Sequence, residues 1–291
     1  MSSPSAPIFD FRTVSQARAR ARRIAGDRFL DRAAAEGLAD RLAAVNRRFE
    51  RALAIDTAPE ALALLQPFAG SWTEAALDAD EVLPAGPGGF DLAVSVLSLH
   101  AVNDLPGVLI QARRALKPDG LFLAVLLGGA TLSELRDSFA MGESLTLGGI
   151  SPRVAPFADV RDLGGLLQRA GFALPVADVE RTLVRYRDFS GLVRDLRAHG
   201  QTNPLAARHK AFLRRETLGA MLAHYRDRHA GDGRLKATFD MVYLTGWAPH
   251  ESQQQPLRPG SAAARLADAL GTTEQPAGDA APFTGSPAAR R

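Results

Sequence analysis

FDLAVSV, residues 90–96, and LFLAVLL, residues 121–127, are the two runs that decide the fold. Each is predominantly apolar and of strand length, which is typical of a strand buried on both faces of a sheet. Residues 106–116 lie between them with a helical pattern, and Lys117-Pro118-Asp119-Gly120 ends that helix. The order strand, helix, strand predicts a βαβ unit with two parallel, neighbouring strands.

The segments before this unit predict helices and one further strand. Residues 14–48 are helical in pattern, in two pieces separated near Gly26. Residues 49–56 contain the apolar run ALAI and predict a strand. Residues 59–65 then predict a short helix with Thr57 as its N-cap. Residues 68–89 are poor in pattern, and residues 84–89 at the end of this segment are expected to form a loop.

The segments after the unit predict helices at 131–141 and 159–170 and a strand at 177–186. A helical insertion at about 189–230, interrupted at Asn203-Pro204, precedes a last strand at 238–247. The whole order defines a doubly wound α/β class. We expect residues 1–48 to form an N-terminal arm and helices and residues 49–250 the α/β domain. Residues 251–291 are expected to be an extension, largely disordered after about residue 271.

Composition excludes several classes of function. The chain has 291 residues, and 46% of them are hydrophobic, which is enough for a sizeable core. Cysteine is absent, which excludes disulfides and thiolate chemistry. Neither a membrane-spanning run nor a secretory signal is expected. The net charge is only +3, and the arginines near Arg18 are interpreted as a solvated helix face, so nucleic-acid binding is not expected.

Several motifs resemble the class I methyltransferases, which use S-adenosylmethionine (SAM). Residues 90–106 are similar to the fourth-strand region of that superfamily, and residues 116–122 are similar to the entry of its fifth strand. Further motifs narrow the resemblance to the respiratory complex I assembly factor 5 type, a relative of the biotin-pathway carrier-protein methyltransferases. These further motifs are Gly128–Arg136, Gly148–Arg153, Arg161–Leu167, Ala237–Phe239 and Gly246–Gln253.

The resemblance implies a Rossmann-like methyltransferase fold with a reduced, mostly parallel sheet, an N-terminal helical cap and a helical insertion before the last strand. It implies SAM-dependent methyl transfer to a protein partner, a complex I subunit, during assembly of that complex. The expected location is cytoplasmic, of the bacterial type, at the inner face of the membrane through the partner. The sequence leaves the oligomeric state open.

The cofactor-binding half of the pattern is degenerate. The family uses a glycine-rich loop after its first strand, where the cofactor approaches the backbone closely. This chain has Asp56-Thr57-Ala58-Pro59 at that place, and only 34 positions separate Asp56 from Phe90. One βαβ unit alone takes roughly 30 residues, so at least one strand–helix unit is expected to be missing. The alternative hypothesis is therefore a cofactor-free protein that binds a partner during assembly.

Six residues are candidates for the site. Asp56 is open to two interpretations: as a first-strand end it faces the methionine part of SAM, and as a second-strand end it holds the ribose. Asp80 and Glu81 resemble the segment over the adenine, or form a polar loop. The candidates after the next strand are Ser95 and Leu97 for the cofactor and His100 as a catalytic base. His100 is alternatively a hydrogen-bonded structural residue.

No metal site is expected. The six histidines form neither a His-x-His nor a His-Glu-x-x-His pair, the arrangements in which one short segment supplies two ligands.

Overall fold

The computed structural model describes residues 6–24, 26–254, 268 and 271–273. The helices are α1 (Phe11–Ala21), α2 (Phe29–Ala44), α3 (Pro59–Leu65), α4 (Leu105–Ala115), α5 (Ser133–Leu147), α6 (Val160–Arg169), α7 (Phe189–Ala198) and α8 (Arg215–His229). The strands are β1 (Phe49–Ile55), β2 (Ala69–Ala75), β3 (Phe90–Val96), β4 (Leu116–Leu127), β5 (Ala173–Tyr186), β6 (Ala230–Gly231) and β7 (Arg234–Trp247).

A single sheet of seven strands organises the described residues. Its order is β2-β1-β3-β4-β7-β5, and the short β6 pairs with β7. The β1–β2, β1–β3 and β3–β4 pairings are parallel, whereas β7 is antiparallel to β4 and to β5. All the described strands except β7 therefore run in one direction. The α/β class with a reduced, mostly parallel sheet is confirmed.

The core has two apolar layers, one on each face of the sheet. On one face, Leu123 and Val125 of β4 lie in the same cluster as Leu38 of α2. On the other face, Phe122 and Ala124 of the same strand cluster with helices α4 and α6. Because successive side chains of β4 serve both layers, every residue from 120 to 127 is buried. This double burial explains the predominantly apolar runs in the sequence.

The segment 68–89, which is poor in sequence pattern, contains a strand that its sequence does not predict. Residues 69–75 form β2, which pairs in parallel with β1 from Phe49↔Ala69 to Ile55↔Ala75. Its sequence, AGSWTEA, is polar because β2 lies at the edge of the sheet and most of its side chains are partly or fully exposed. An edge strand needs no continuous apolar run, so the apolar pattern that identifies β3 is absent here.

Three boundary predictions also need correction. Strand β4 begins at Leu116 rather than at residue 121, so residues 117–120, which follow the helix, are already part of the strand. Thr57 does not cap α3: the N-cap is Ala58, and the Thr57 hydroxyl donates to the Ile55 carbonyl at 3.2 Å instead. The insertion is helical only in α7 and α8, and no helix forms between them at residues 199–214.

The two N-terminal helices, by contrast, end and begin on either side of Gly26 as expected. None of the helices among the described residues has the length and apolarity that crossing a bilayer requires. The disorder expected after about residue 271 falls outside the described residues, apart from residues 271–273.

The sheet has lost one strand of the family pattern. Only β1 and β2 precede β3 in the chain, whereas the family resemblance predicts that β3 is the fourth strand. In doubly wound sheets of order 3-2-1-4-5 the first and fourth strands are neighbours. Since β1 pairs directly with β3 from Ala52↔Leu92 to Ile55↔Ser95, β1 occupies the first-strand position. Of the two interpretations of Asp56, the first-strand end is the one that matches this position.

Substituting Gly37 tests the packing of α2 on the sheet. A Cβ on Gly37 would lie 2.3 Å from the hydroxyl oxygen of Tyr243, which is fully buried on β7. Gly37→Ala should therefore lower the free energy of unfolding by about 1–3 kcal/mol. Gly219→Ala in α8 is the matched control, because its Cβ meets nothing within 4 Å. It should raise stability by up to about 1 kcal/mol. Equal effects in urea unfolding would contradict this packing.

Candidate functional site

A cavity of about 250 Å³ opens beyond the carboxyl ends of β3 and β4. This edge is where doubly wound sheets bind their ligands. Most of the lining is apolar and includes Phe9, Leu127, Phe157 and Leu196. The titratable side chains among the lining residues are His100 and three arginines, Arg18, Arg153 and Arg197, and no Asp or Glu is among them.

Arg18 of α1 closes one side of the cavity by binding the ends of two strands. Its Nη1 donates to Asp56 Oδ2 at 2.9 Å, and its Nη2 donates to the carbonyl oxygen of Ser98, also at 2.9 Å. The interpretation of Arg18 as part of a solvated face is therefore wrong, because this side chain docks α1 on the sheet edge. Charge-assisted hydrogen bonds of this kind are the stronger ones in proteins.

His100 lines the cavity, and both of its ring nitrogens are engaged. Nε2 lies 2.9 Å from Gln201 Oε1, while Nδ1 accepts from the Leu127 backbone N–H at 3.4 Å. Because an amide oxygen only accepts, the proton resides on Nε2. Burial lowers the pKa of His100 to about 4 despite the Gln201 hydrogen bond, and the nearby Arg18 charge lowers it further. A neutral imidazole with this pKa suits a positioned structural group better than a general base at neutral pH.

Gln201 connects this histidine to the end of β3. Its Nε2 donates to the Leu97 carbonyl at 3.2 Å while its Oε1 faces His100. Leu97 itself is buried and holds a left-handed φ of 49°. Asp56 after β1 and Leu132 before α5 are also left-handed, at 47° and 54°. Non-glycine residues with left-handed backbone angles are strained, and such residues cluster at the functional sites of proteins.

Ser95 does not reach the cavity. Its hydroxyl oxygen lies 2.7 Å from that of Ser98, and both side chains are buried. The pair stabilises the turn that follows β3, so the structure gives Ser95 a local contact within the strand end.

Glu81 and Asp80 occupy different environments. The Glu81 carboxylate accepts from the backbone N–H groups of Asn103 and Asp104, each at 2.6 Å, and from Asn103 Nδ2 at 3.1 Å. Asp80 is exposed, and its backbone N–H donates to Asp78 Oδ1. Glu81 therefore orders the loop after β3, whereas Asp80 belongs to a surface turn. The structure does not bring these two carboxylates together with Asp56.

The N-terminal arm closes the cavity through the same loop. The backbone N–H of Phe9 donates to Asn103 Oδ1 at 2.8 Å, and Asn103 Nδ2 donates back to the Phe9 carbonyl at 3.2 Å. Phe9 also forms a β-bridge with Leu205, and Asp10 N donates to the Pro204 carbonyl at 2.8 Å. The arm is thus fixed to two segments that are distant in sequence.

The motifs from residues 128 to 153 build the opposite wall. Glu143, buried in α5, accepts from the Ser151 backbone and hydroxyl and from Arg153 Nε at 2.7 Å. Burial raises the pKa of Glu143, but the hydrogen bonds from Ser151 and Arg153 outweigh it and hold the pKa below its usual range. This carboxylate neutralises Arg153 and aligns the loop that carries it along the cavity.

A smaller cavity of about 40 Å³ lies at the place expected for the cofactor, lined by Asp56, Ala58 and Leu97 together with α1 and α2. Small-molecule sites usually enclose roughly 300–1,000 Å³. Arg18 engages the Asp56 carboxylate at this place, and Pro59 supplies no backbone N–H at the start of α3. The residues present here therefore do not fit SAM as they are arranged.

Two buried nitrogens nevertheless line this smaller cavity without a hydrogen-bond partner. They are Arg28 Nη1, which is a donor, and His199 Nε2. The other nitrogen of His199, Nδ1, lies 2.6 Å from Asp31 Oδ2 and donates to it, so Nε2 of the neutral ring carries the lone pair. Arg28 Nε lies 3.2 Å from the same oxygen. A buried donor without an acceptor costs free energy, so an acceptor group of a ligand would be stabilised beside Arg28 Nη1.

Comparisons with known proteins agree with this architecture. Residues 30–124 match a family model described as a methyltransferase domain. The chain is 42% identical over 190 residues to arginine-hydroxylase NDUFAF5, mitochondrial, of Danio rerio, covering 65% of this chain and 59% of that protein. It is 34% identical over 211 residues to malonyl-[acyl-carrier protein] O-methyltransferase of Xylella fastidiosa (strain M23), covering 71% of this chain and 69% of that protein.

The YcgJ protein from Bacillus subtilis, a solved structure, is 14% identical with a TM-score of 0.49, covering 74% of this chain and 98% of that chain. The fold assignment rests on the sheet order and the sequence relatives rather than on this likeness.

The sheet order and the motifs at its carboxyl edge define a methyltransferase-fold protein. The chain belongs to the class I methyltransferase superfamily. Within that superfamily it is similar both to the protein named NDUFAF5 and to the carrier-protein methyltransferases. It spans only 59% of the Danio rerio protein.

His100 gives stability a pH dependence with a defined sign. An unfolded histidine titrates near pH 6.5, whereas the folded pKa is about 4. The unfolded state therefore binds more protons between these values, and the contribution of His100 is complete above pH 6.5 and lost as the pH falls toward 4. When the pH is lowered from 7.5 to 5, the free energy of unfolding should fall by about 1–2 kcal/mol more for wild type than for the His100→Gln variant.

The measurement is urea unfolding of both proteins at several pH values. His209→Gln is the matched control, because His209 is exposed and should leave the pH dependence of wild type unchanged. Parallel pH profiles for wild type and His100→Gln would show that His100 titrates alike in the folded and unfolded states.

Proposed function

We propose that this chain is a cofactor-free member of the methyltransferase superfamily that binds a protein partner during respiratory complex I assembly. One observation carries the proposal: Arg18 occupies the end of the first strand by pairing with Asp56 and with the Ser98 carbonyl. The space left at the cofactor position is about 40 Å³, whereas the cavity beside His100 is about 250 Å³. The link to complex I comes from the family resemblance.

The positive charge at the larger cavity favours a partner segment that carries acidic residues. Arg18 and Arg153 are neutralised by Asp56 and Glu143, but Arg197 is exposed at the cavity. Because no Asp or Glu is among the lining residues, a cationic group entering the cavity would lack a counter-charge. An apolar side chain flanked by acidic residues fits this lining. The arginine hydroxylation in the relatives' name is therefore not the chemistry that this cavity favours.

SAM-dependent methyl transfer to a protein partner is the second candidate. Arg18 and Gln201 line both cavities, so a displacement of α1 would join the two spaces. The donor Arg28 Nη1 lacks an acceptor in the smaller cavity and favours a ligand with an acceptor group there. These observations support a cofactor site that opens only when α1 moves.

Calorimetric titration with SAM and with S-adenosylhomocysteine separates the two candidates. For the cofactor-free protein we expect no binding heat up to about 1 mM ligand, because the Arg18–Asp56 pair fills the site. Binding with a Kd of about 10 µM or tighter would overturn the proposal and favour methyl transfer. A well-characterised SAM-dependent methyltransferase serves as the positive control for the ligands.

Charge reversal on α7 tests the binding surface. Arg197→Glu should weaken co-purification with the complex I subunit that the wild-type protein binds, by about five- to tenfold, because it repels an acidic segment. Arg194→Glu is the matched control: Arg194 is exposed on the same helix and is not among the cavity-lining residues. Equal losses for both variants would contradict binding at this cavity.

A further inference from the structure

We propose that Asp137 of α5 and His224 and His229 of α8 form a binding site for a divalent transition-metal ion. One ligand atom from each of the three residues lies within 4.8 Å of the other two. His229 Nε2 is 2.8 Å from Asp137 Oδ2, and His224 Nε2 is 3.8 Å from the same oxygen. The ligands come from two helices far apart in the chain, so no local spacing in the sequence reveals them.

The hydrogen bonds around His224 leave a lone pair directed at the carboxylate. The Ser138 hydroxyl donates to the Glu134 carbonyl at 2.8 Å, so its oxygen accepts from His224 Nδ1 at 3.3 Å. The proton of the neutral imidazole is then on Nδ1, and Nε2 carries the lone pair. That lone pair and the Asp137 carboxylate are both electron-rich, and a cation between them stabilises the arrangement. A hydrogen bond from the second ring nitrogen is how metal-binding histidines are usually oriented.

The helices that carry the ligands are packed at a fixed, short separation. A Cβ on Gly142 of α5 would lie 2.9 Å from the backbone nitrogen of Met221 on α8, so the two backbones approach closely there. The hydroxyls of Thr146 and Thr217 also meet across the helices at 2.7 Å. Rigid supporting elements hold a metal site near its working geometry.

The ligand distances need little adjustment. Zinc–nitrogen and zinc–oxygen bonds are about 2.0–2.2 Å, so two ligands of one tetrahedral ion lie roughly 3.0–3.6 Å apart. The distances of 2.8 and 3.8 Å to Asp137 Oδ2 bracket that range. The Asp137 side chain is 57% exposed, so it has room to adjust its position between the two nitrogens.

The ligand set selects the class of ion. Two imidazoles and one carboxylate suit zinc, copper, nickel or ferrous iron, whereas magnesium and calcium prefer oxygen ligands alone. None of the three residues is among those lining the 250 Å³ cavity. The ion would therefore clamp α5 to α8 rather than take part in chemistry at the cavity.

Calorimetric titration of the tag-free full chain with zinc chloride at pH 7.5 tests the site. We expect one equivalent to bind, and the thermal midpoint to rise with zinc. His229→Ala and Asp137→Asn should each weaken binding at least tenfold and abolish the thermal shift. His209→Ala, which changes an exposed histidine outside the cluster, should bind as wild type does. Magnesium should not compete.

A spectroscopic measurement keeps the proposal testable if a variant fails to fold. Wild-type protein loaded with one equivalent of copper(II) should show electron paramagnetic resonance splitting from two imidazole nitrogens. Splitting from one nitrogen or none would overturn the proposal. So would the absence of zinc binding, or equal zinc affinity in wild type and in both cluster variants.

Discussion

The short connection between Asp56 and Phe90 is the constraint on which the rest of the structure depends. It has room for one helix and one edge strand, so β1 pairs directly with β3 and β2 closes the sheet. Asp56 consequently ends beside the turn after β3, where Arg18 binds both. The short connection thus changes this edge of the sheet, while β3, β4, β7 and β5 follow one another on the other side of β1. A shared fold does not by itself fix the chemistry of the site that it carries.

The strength of a local sequence signal depended on how much of each strand is buried. Strands β3 and β4 are covered on both faces, so their apolar runs predict them directly. Strand β2 has one neighbour and mostly exposed side chains, and its polar sequence gives no such signal. The fold class can therefore be predicted from the sequence, whereas the edge strand β2 is recognised only from its pairing with β1 in the structure.

The candidate site was predictable to the extent that it lies at strand ends. Asp56, Leu97 and His100 follow β1 and β3, and the rule for carboxyl ends identifies them. Arg18 and Gln201, which bind them, come from an N-terminal helix and from the loop after α7. Neither residue has a local pattern that distinguishes it from surface arginines and glutamines. Contacts across such separations depend on tertiary packing that periodicity does not encode.

The polar motifs of the C-terminal half preserve the fold independently of the cofactor edge. Glu134 of α5 accepts from the backbone of Thr238, and Thr131 exchanges hydrogen bonds with the backbone of Asp240. These contacts join the end of β4 to β7, on the side of the sheet away from β1 and β2. A change between Asp56 and Phe90 therefore leaves them intact. This separation explains how strong family motifs coexist with the short connection between β1 and β3.

The attachment of the N-terminal arm sets an order of events during synthesis. Phe9 pairs with Asn103 and Leu205, so its contacts are complete only after nearly two hundred further residues have been added. At roughly 5–20 residues per second, that interval is about 10–40 s. Strands β1 to β5 are all translated before the arm finds its last partner. The cavity wall that Phe9 supplies is therefore completed only after Leu205 has been synthesised, and until then the Phe9 side chain lacks this partner.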